Sequence, residues 1–366
     1  MAELRIEQLL REMVNRKASD LHLRVGVPPV YRINGTLQRL FDVRIDSAMM
    51  DSFLDDIMNR DQKQRFEANK ECDFAVGARD MGRFRVNVFR QRGTIAVVIR
   101  HIKAVIPAFE ELHLPEVIRD LALTKRGLVL VTGTTGSGKS TTLASMIDYI
   151  NQKESVNVIT VEDPIEYLYR DNVAIISQRE IGVDTLSYAN ALRAALRQDP
   201  DVLLVGEIRD LETMQIALTA ADTGHMVFAT IHTTNAVETI HRVLSMYPPH
   251  QHDEVRLLLA EVLAGIISLR LLPTKDGKGR VPAAEILVNT GAIKEYIQDK
   301  NKIDMVEQAV AEGHIQYHSQ TFDQALLELY QNEQISLETA MNAATNRDDF
   351  DLKIRGISGT SDRGWM

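Results

Sequence analysis

The chain has 366 residues, enough for two or three compact units, because a single core rarely grows past about 250 to 300 residues. Its 42 Lys and Arg are outnumbered by 51 Asp and Glu, which excludes broad nonspecific nucleic-acid binding, so no direct nucleic-acid partner is expected. One cysteine, Cys72, rules out an internal disulfide and a four-cysteine zinc cluster, points to a reducing compartment, and reads as a small buried hydrophobe.

Along the chain, Ile6, Leu9, Leu10, Met13 and Val14 recur at helical spacing. Asp20 to Val25 then switches to alternation, and a turn at Asn34-Gly35 is expected between Val30–Ile33 and Thr36-Leu37. A helix is predicted to start near Asp46, and strands over Cys72 to Val76, Arg83 to Phe89 and Thr94 to Ile102. Residues 1–103 thus read as a small α+β domain. Pro107 and Pro115 mark a polar linker over 104–114. From Gly127 onward, apolar strands at 128–131, 156–161, 202–205 and 226–231 alternate with helical stretches at 139–151, 187–198 and 211–222. That pattern predicts an α/β core over 115–290, with a mainly parallel sheet, helices on both faces and ligands at the carboxyl ends of the strands. Helical segments near 291–298, 302–312, 321–331 and 336–345 suggest a helical subdomain over 291–350, followed by a flexible tail over 351–366. The opening residues lack a signal core, and no uncharged stretch approaches the ~18 residues that span a bilayer, so a soluble protein without a transmembrane segment is expected.

The strongest motif is GTTGSGKS at Gly133 to Ser140, directly after the apolar run Leu128–Val131. Glycines at 133, 136 and 138 let the backbone curl with its N–H groups inward, where they meet phosphate oxygens at a helix N-terminus. Lys139 reaches the β- and γ-phosphates of a nucleoside triphosphate, and the Ser140 hydroxyl is placed to ligate Mg²⁺. A strand before the loop and a helix from Thr141 on supply the context that the motif requires. Glu207 ends the apolar run in DPDVLLVGE at Asp199 to Glu207, where a carboxylate can hold Mg²⁺ through water. Glu162, Asp163 and Glu166 crowd the end of another strand, and Glu162 or Glu166 can orient or deprotonate the attacking water. His225 and His232 flank the strand Met226–Ile231, with His232 at its carboxyl end among Thr230, Thr233 and Thr234, a set suited to sensing a γ-phosphate. In the first domain, alternation puts Phe84, Val86 and Val88 on one face of a strand and Arg83, Arg85 and Asn87 on the other. That cationic face is either ordinary amphipathic surface or a source of an arginine finger.

Taken together and in order, GTTGSGKSTT, ITVEDPIEY, DPDVLLVGEIRDLET and TGHMVFATIHTTNA resemble the secretion and pilus ATPase superfamily, and within it the type IV pilus retraction ATPases of the PilT and PilU group. SDLHL at Ser19 to Leu23 and GRFRVNVF at Gly82 to Phe89 resemble that family's N-terminal domain. The resemblance implies a RecA-like P-loop NTPase domain with a PAS-like N-terminal α+β domain and a C-terminal helical subdomain, working as a hexameric ring. It assigns ATP binding to Gly133, Thr134, Thr135, Gly136, Ser137, Gly138, Lys139, Ser140 and Thr141, the general base to Glu166, and Mg²⁺ to Ser140 and Glu207. His225 and His232 fall in the family's His box, and Arg83, Arg85 and Arg100 resemble positions that approach the nucleotide across a subunit boundary. It implies an inner-membrane platform protein and related pilus ATPases as partners, and a cytoplasmic location beside the membrane. Assembly ATPases of the superfamily usually carry a further N-terminal domain and a four-cysteine zinc insertion, and neither is present here. The family's AIRNLIRE signature stands here as AIKEYIQD at Ala292 to Asp299, while Gln320 to Tyr330 looks more like PilU. The readings kept beside retraction are a PilU-like accessory ring and a RecA-like DNA-translocating, conjugation or secretion ATPase.

Overall fold

The computed structural model describes residues 4–33, 35–102 and 105–355. They form two compact units, one of residues up to Val105 with Glu166–Leu168, the other of Ile106–Ile165 and Tyr169 onward.

The first unit opens with α1 (Ile6–Asn15), whose Ile6, Leu9, Leu10 and Met13 form one buried stripe. Then come β1 (Asp20–Arg24), β2 (Val30–Ile33), β3 (Thr36–Arg39), α2 (Ser47–Ile57), α3 (Arg60–Asn69), β4 (Glu71–Ala78), β5 (Gly82–Gln91) and β6 (Thr94–Ile102). The strands make an antiparallel sheet in the order β3-β2-β1-β6-β5-β4. Asp46 starts α2 as expected, accepting the Met49 amide at 2.8 Å. The sequence pattern hid α3 because only Gln62 and Phe66 of its ten residues are buried. The turn expected at Asn34 lies outside the described residues, though β2 and β3 pair on either side of it.

The second unit holds α4 (Val117–Ala122), β7 (Gly127–Thr132), α5 (Lys139–Lys153), β8 (Asn157–Glu162), β9 (Ile175–Glu180), α6 (Tyr188–Ala195), β10 (Val202–Val205), α7 (Leu211–Asp222) and β11 (Met226–Ile231). It continues with α8 (Ala236–Ser245), α9 (His252–Val262), β12 (Leu263–Pro273), β13 (Arg280–Val288), α10 (Gly291–Gln298), α11 (Val306–Glu312), α12 (His314–Tyr317), α13 (Phe322–Gln331), α14 (Leu337–Ala343) and α15 (Arg347–Ile354). The sheet order is β13-β12-β7-β11-β10-β8-β9, parallel throughout except for β13. Every residue of β7, β10 and β11 is buried, as strands covered on both faces must be. Leu128 and Leu130 of β7 pack with α6 to α10 on one face, and Val129 and Val131 pack with α4 and α5 on the other. The α/β architecture expected from the sequence is therefore present, with helices on both faces.

The sequence reading omitted β9, β12, β13, α8 and α9. β12 follows α9 with no polar break, Val262 running straight into Leu263, so periodicity alone gives no boundary. Two expectations need correction. The stretch read as a linker already belongs to the second unit from Ile106, and Phe109 within it is buried under the Arg119 guanidinium at 4.9 Å. The tail expected from 351 begins inside α15, which Asn346 caps and which buries Phe350 in a small core with Phe322, Leu326, Ile335 and Ala340. Residues 356–366 lie outside the described residues. Among the described residues no helix is long and apolar enough to cross a membrane.

Candidate active site

β7 ends at Thr132 and the loop Gly133–Gly138 turns the chain into α5. Gly133 has φ +138, and a Cβ there would lie 2.5 Å from both the Leu269 carbonyl and Ser137 Oγ, so no other residue fits. Gly138, with φ +106, is the residue before the first turn of α5 and leaves that turn's backbone N–H groups facing the loop. Lys139 is buried and its Nζ donates to the carbonyls of Gly133 at 2.8 Å and Thr134 at 3.0 Å. Ser137 is buried as well, and its Oγ has no hydrogen-bond partner among the described residues. A buried ammonium held by carbonyls beside an unsatisfied hydroxyl and an open helix N-terminus fits a polyphosphate. Ser140 and Thr141 follow on the first turn of α5, both half-buried.

Parallel register brings the other strand tips alongside. β11 lies between β7 and β10, the arrangement of RecA-like P-loop domains, and Val205 of β10 pairs with Val161 of β8 and Ala229 of β11. Glu207, two residues past the end of β10, accepts from Arg209 Nη2 at 2.6 Å and lies 3.4 Å from His232 Nε2. The Arg209 hydrogen bond holds the Glu207 carboxyl below its ordinary range against the opposing effect of burial, and the charges of Arg209, His232 and Lys139 add to it. Glu207 is thus ionised at neutral pH and lies within the field of the loop lysine. Glu162, the buried last residue of β8, accepts from Thr160 Oγ1 at 2.8 Å and Gln178 Nε2 at 3.2 Å. Gly206 sits between these tips, where a Cβ would lie 3.0 Å from Tyr188 Oη and 3.2 Å from Glu162 Cα.

Tyr188 and Arg209 escaped the sequence reading, because neither belongs to a motif with chemical spacing. Burial raises the Tyr188 phenol, and the charges of Asp163, Glu207 and Glu162 raise it further, so it is a neutral O–H among carboxylates. Arg209 sits only two residues after Glu207, and an acid so close to an arginine at a strand tip was the one available signal.

The structure does not bring every expected residue to the loop. His225 lies at the amino end of β11, where its Nδ1 is 2.9 Å from the Ala220 carbonyl and 3.2 Å from Thr223 Oγ1. Its own carbonyl accepts from Gly127 at the start of β7, six residues before Gly133, which places it roughly 20 Å from the loop at ~3.3 Å per strand residue. The threonines expected to sense phosphate have partners of their own: Thr230 donates to the Gly206 carbonyl, Thr233 pairs with Thr239, and Thr234 donates to Glu238. Only His232 of that set faces Glu207. Glu166 groups with the first unit, whereas Glu162 stands in the strand-tip cluster. Arg83, Arg85 and Arg100 also lie in the first unit, Arg85 paired with Asp73 and Arg100 bonded to Asp20 at 2.9 Å.

Comparison with known proteins agrees with this fold. The model of the Type II/IV secretion system protein family matches residues 1–353. The chain is 41% identical to the type IV pilus ATPase PilU of Pseudomonas aeruginosa over 96% of its own length and 92% of that protein. It is 42% identical to the type IV pilus retraction ATPase PilT of the same organism, over 94% of the chain and 99% of that protein. A crystal structure of the pilus retraction motor PilT with bound ADP superposes with a TM-score of 0.89 at 47% identity, covering 94% of this chain and 98% of that one. The chain therefore belongs to the Type II/IV secretion system protein family, in the PilT and PilU group of its ATPases.

Proposed function

We propose that this chain is an ATP-driven motor of type IV pilus retraction that works as a homohexameric ring. The observation that carries the reading is the convergence of the loop Gly133–Ser140, Lys139, Glu207 and His232 at the carboxyl ends of neighbouring parallel strands. It occurs in a chain similar over nine-tenths of its length to a pilus retraction motor solved with ADP.

Loop amides and Lys139 bind the β- and γ-phosphates of ATP. Lys139 exchanges two neutral carbonyls for anionic oxygens, so that an ion–dipole contact becomes an ion pair with hydrogen bonds charged on both sides. The Ser140 hydroxyl and the ionised Glu207 are the groups that would hold Mg²⁺, which neutralises phosphate charge when bound. His232, beside Glu207, senses the γ-phosphate, and Arg209 keeps Glu207 charged. Glu166 orients or deprotonates the attacking water, with Glu162 as the alternative base. Arg83, Arg85 and Arg100 act on the nucleotide of a neighbouring copy, and Arg85 and Arg100 exchange Asp73 and Asp20 for phosphate to do so. The partners in this reading are further copies of the chain, an inner-membrane platform protein and related pilus ATPases, with the ring on the cytoplasmic face.

A PilU-like accessory ring is the second reading, favoured by near-equal identity to PilU and PilT, 41% and 42%. Purified wild type is expected to hydrolyse ATP, and Lys139→Ala to lose at least about a hundredfold in kcat. Deleting the gene and imaging labelled pili separates the readings. Fibres that persist but no longer retract support the motor, retraction that continues weakened supports the accessory ring, and loss of the fibres themselves overturns both. ATP turnover stimulated by DNA and indifferent to pilus proteins would replace them with a DNA-translocating motor.

A further inference from the structure

Beneath the phosphate loop, a line of buried polar groups runs across three strands to α8. Thr132, the residue before Gly133, donates through Oγ1 to Ser268 Oγ on β12 at 3.0 Å, and neither has any exposed surface. Ser268 stands opposite Glu285 in the β12–β13 ladder, and its hydroxyl lies close enough to draw the carboxyl's pKa down. Glu285, itself only 7% exposed, accepts the backbone N–H of Ala236 at 2.6 Å. Ala236 is the first residue of α8, four residues after His232. Threonine donates to serine, serine faces the carboxylate across the ladder, and the helix amide donates to that carboxylate, so the line meets at Glu285.

A second arm leaves the same point. Arg270 on β12 is drawn by the charge of Glu285. Its guanidinium lies 3.7 Å from the centre of the Phe322 ring of α13, and Nη1 donates to the Ala343 carbonyl at the end of α14 at 2.6 Å. The remaining charged groups around Glu285 are Glu238 and His241 of α8, Asp304 and Glu307, which line a cavity of about 410 Å³ with it, and Asp323, which acts on Arg270. Burying a carboxylate is costly compared with an apolar residue of the same volume, so a network of this kind is expected where it fixes geometry.

We infer that Glu285 is a positioning residue for ATP turnover: it fixes the first turn of α8, and with it His232 against Glu207, in register with the phosphate loop, and Arg270 ties that register to the C-terminal helices. The inference rests on the ATPase reading above. Glu285 touches no substrate in this scheme, and its effect passes through the backbone of Ala236 and the hydroxyls of Ser268 and Thr132.

The test compares wild type, Glu285→Ala and Glu285→Gln in steady-state ATP hydrolysis, with hydrogen exchange over residues 232–240 measured on the same samples. Glutamine keeps the shape and an acceptor oxygen but not the charge. Glu285→Ala is expected to lower kcat by about tenfold to a hundredfold with KM for ATP within about twofold, and to speed exchange over 232–240. Glu285→Gln is expected to recover kcat to within about threefold of wild type. A folded Glu285→Ala protein with wild-type kcat, or with its loss confined to KM, overturns the inference. Should the alanine variant fail to fold, Ser268→Ala cuts the link to Thr132 alone: a fall in kcat at an unchanged melting temperature supports the positioning role, and an unchanged kcat refutes it. A wild type that hydrolyses no ATP defeats the ATPase reading instead. Exchange over 232–240 in Glu285→Ala then decides the positioning link by itself, with unchanged exchange overturning it.

Discussion

The two sheets put their polar chemistry in different places. Strands β7, β10 and β11 are buried on both faces, so polar side chains gather where the strands stop. The loop lysine, Glu162, Glu207 and His232 all belong to strand tips. The antiparallel sheet of the first unit buries one face only, so arginines and aspartates spread along β1, β4, β5 and β6 and pair with one another. In the first setting a charged residue after an apolar run carries information, because nothing in the sheet's interior explains it. In the second, every other position is polar by construction, and an arginine says little until its partner is known.

The largest expected effect tests which side of this contrast supplies the catalytic carboxylate, Glu166 of the first unit or Glu162 of the strand-tip cluster. Glu166→Gln is expected to reduce kcat by about 10² to 10⁴, the usual worth of a general base, while ATP binding persists. Glu162→Gln should cost less, because Glu162 is already engaged by Thr160 and Gln178. Single-turnover hydrolysis by the two variants ranks them. A larger loss in Glu162→Gln moves the base to the carboxylate that stands in the strand-tip cluster and breaks the present assignment.

The choice between Glu162 and Glu166 turns on tertiary placement, which sequence spacing does not encode. The phosphate loop and Glu207 were readable because phosphate binding demands particular residues at fixed spacing directly after a buried strand. Arg209, Tyr188 and the Thr132–Ser268–Glu285 line were not, since their partners are set by tertiary register: Thr132 and Ser268 are 136 positions apart. The same holds for β12, where the apolar end of α9 runs straight into an apolar strand and only pairing in space separates them. His225 shows the converse. The sequence already set the two histidines at opposite ends of one strand, as the structure has them, and only the family's His box grouped them.

Glu285 sharpens the contrast as a buried carboxylate in mid-strand, on β13, the antiparallel edge strand of the second unit's sheet. Burial pushes its pKa from 4.5 up to about 7, with the Ala236 amide opposing. An acid raised in the folded state contributes stability that is complete below its unfolded pKa and is lost as pH rises through its folded one. Here that window runs from about pH 4.5 to about 7, for a loss on the order of 3 kcal/mol. Glu285→Gln removes the titration. It should be more resistant to urea than wild type at pH 8 and nearly equal near pH 4.5, and parallel stability curves for the two proteins across that window would show that burial of Glu285 is not what the structure implies.

In the antiparallel sheet the effects are smaller and unequal. Arg85 and Asp73 are both about two-fifths exposed, 40% and 42%, and such pairs contribute roughly 0.2 to 1 kcal/mol. Arg100 meets Asp20, whose side chain is only 9% exposed. Burial pushes the Asp20 carboxyl up, and the hydrogen bonds from Ser19 and Arg100 more than offset it, leaving it below the ordinary range. Arg100→Ala should therefore cost about 1 to 3 kcal/mol in denaturant unfolding, more than Arg85→Ala, because it strips a partner from a mostly buried charge. A fall in ATPase activity much larger than these stability losses would show that the arginines also act on nucleotide and are not merely part of an amphipathic sheet.

The smallest effect is expected at His225, and it is the most direct check on reading chemistry from strand ends alone. Its ring hydrogen-bonds the last turn of α7, and it lies at the amino end of β11, a strand's length from the phosphate loop. His225→Ala should then leave kcat and KM within about twofold of wild type and cost about 0.5 to 1.5 kcal/mol of stability, the usual net worth of one hydrogen bond. His232→Ala should show the reverse pattern, with stability nearly kept and kcat reduced, since His232 is half exposed and its neighbour is Glu207. If His225→Ala lost activity as His232→Ala does, position at the carboxyl end of a parallel strand would not be what selects functional residues in this sheet.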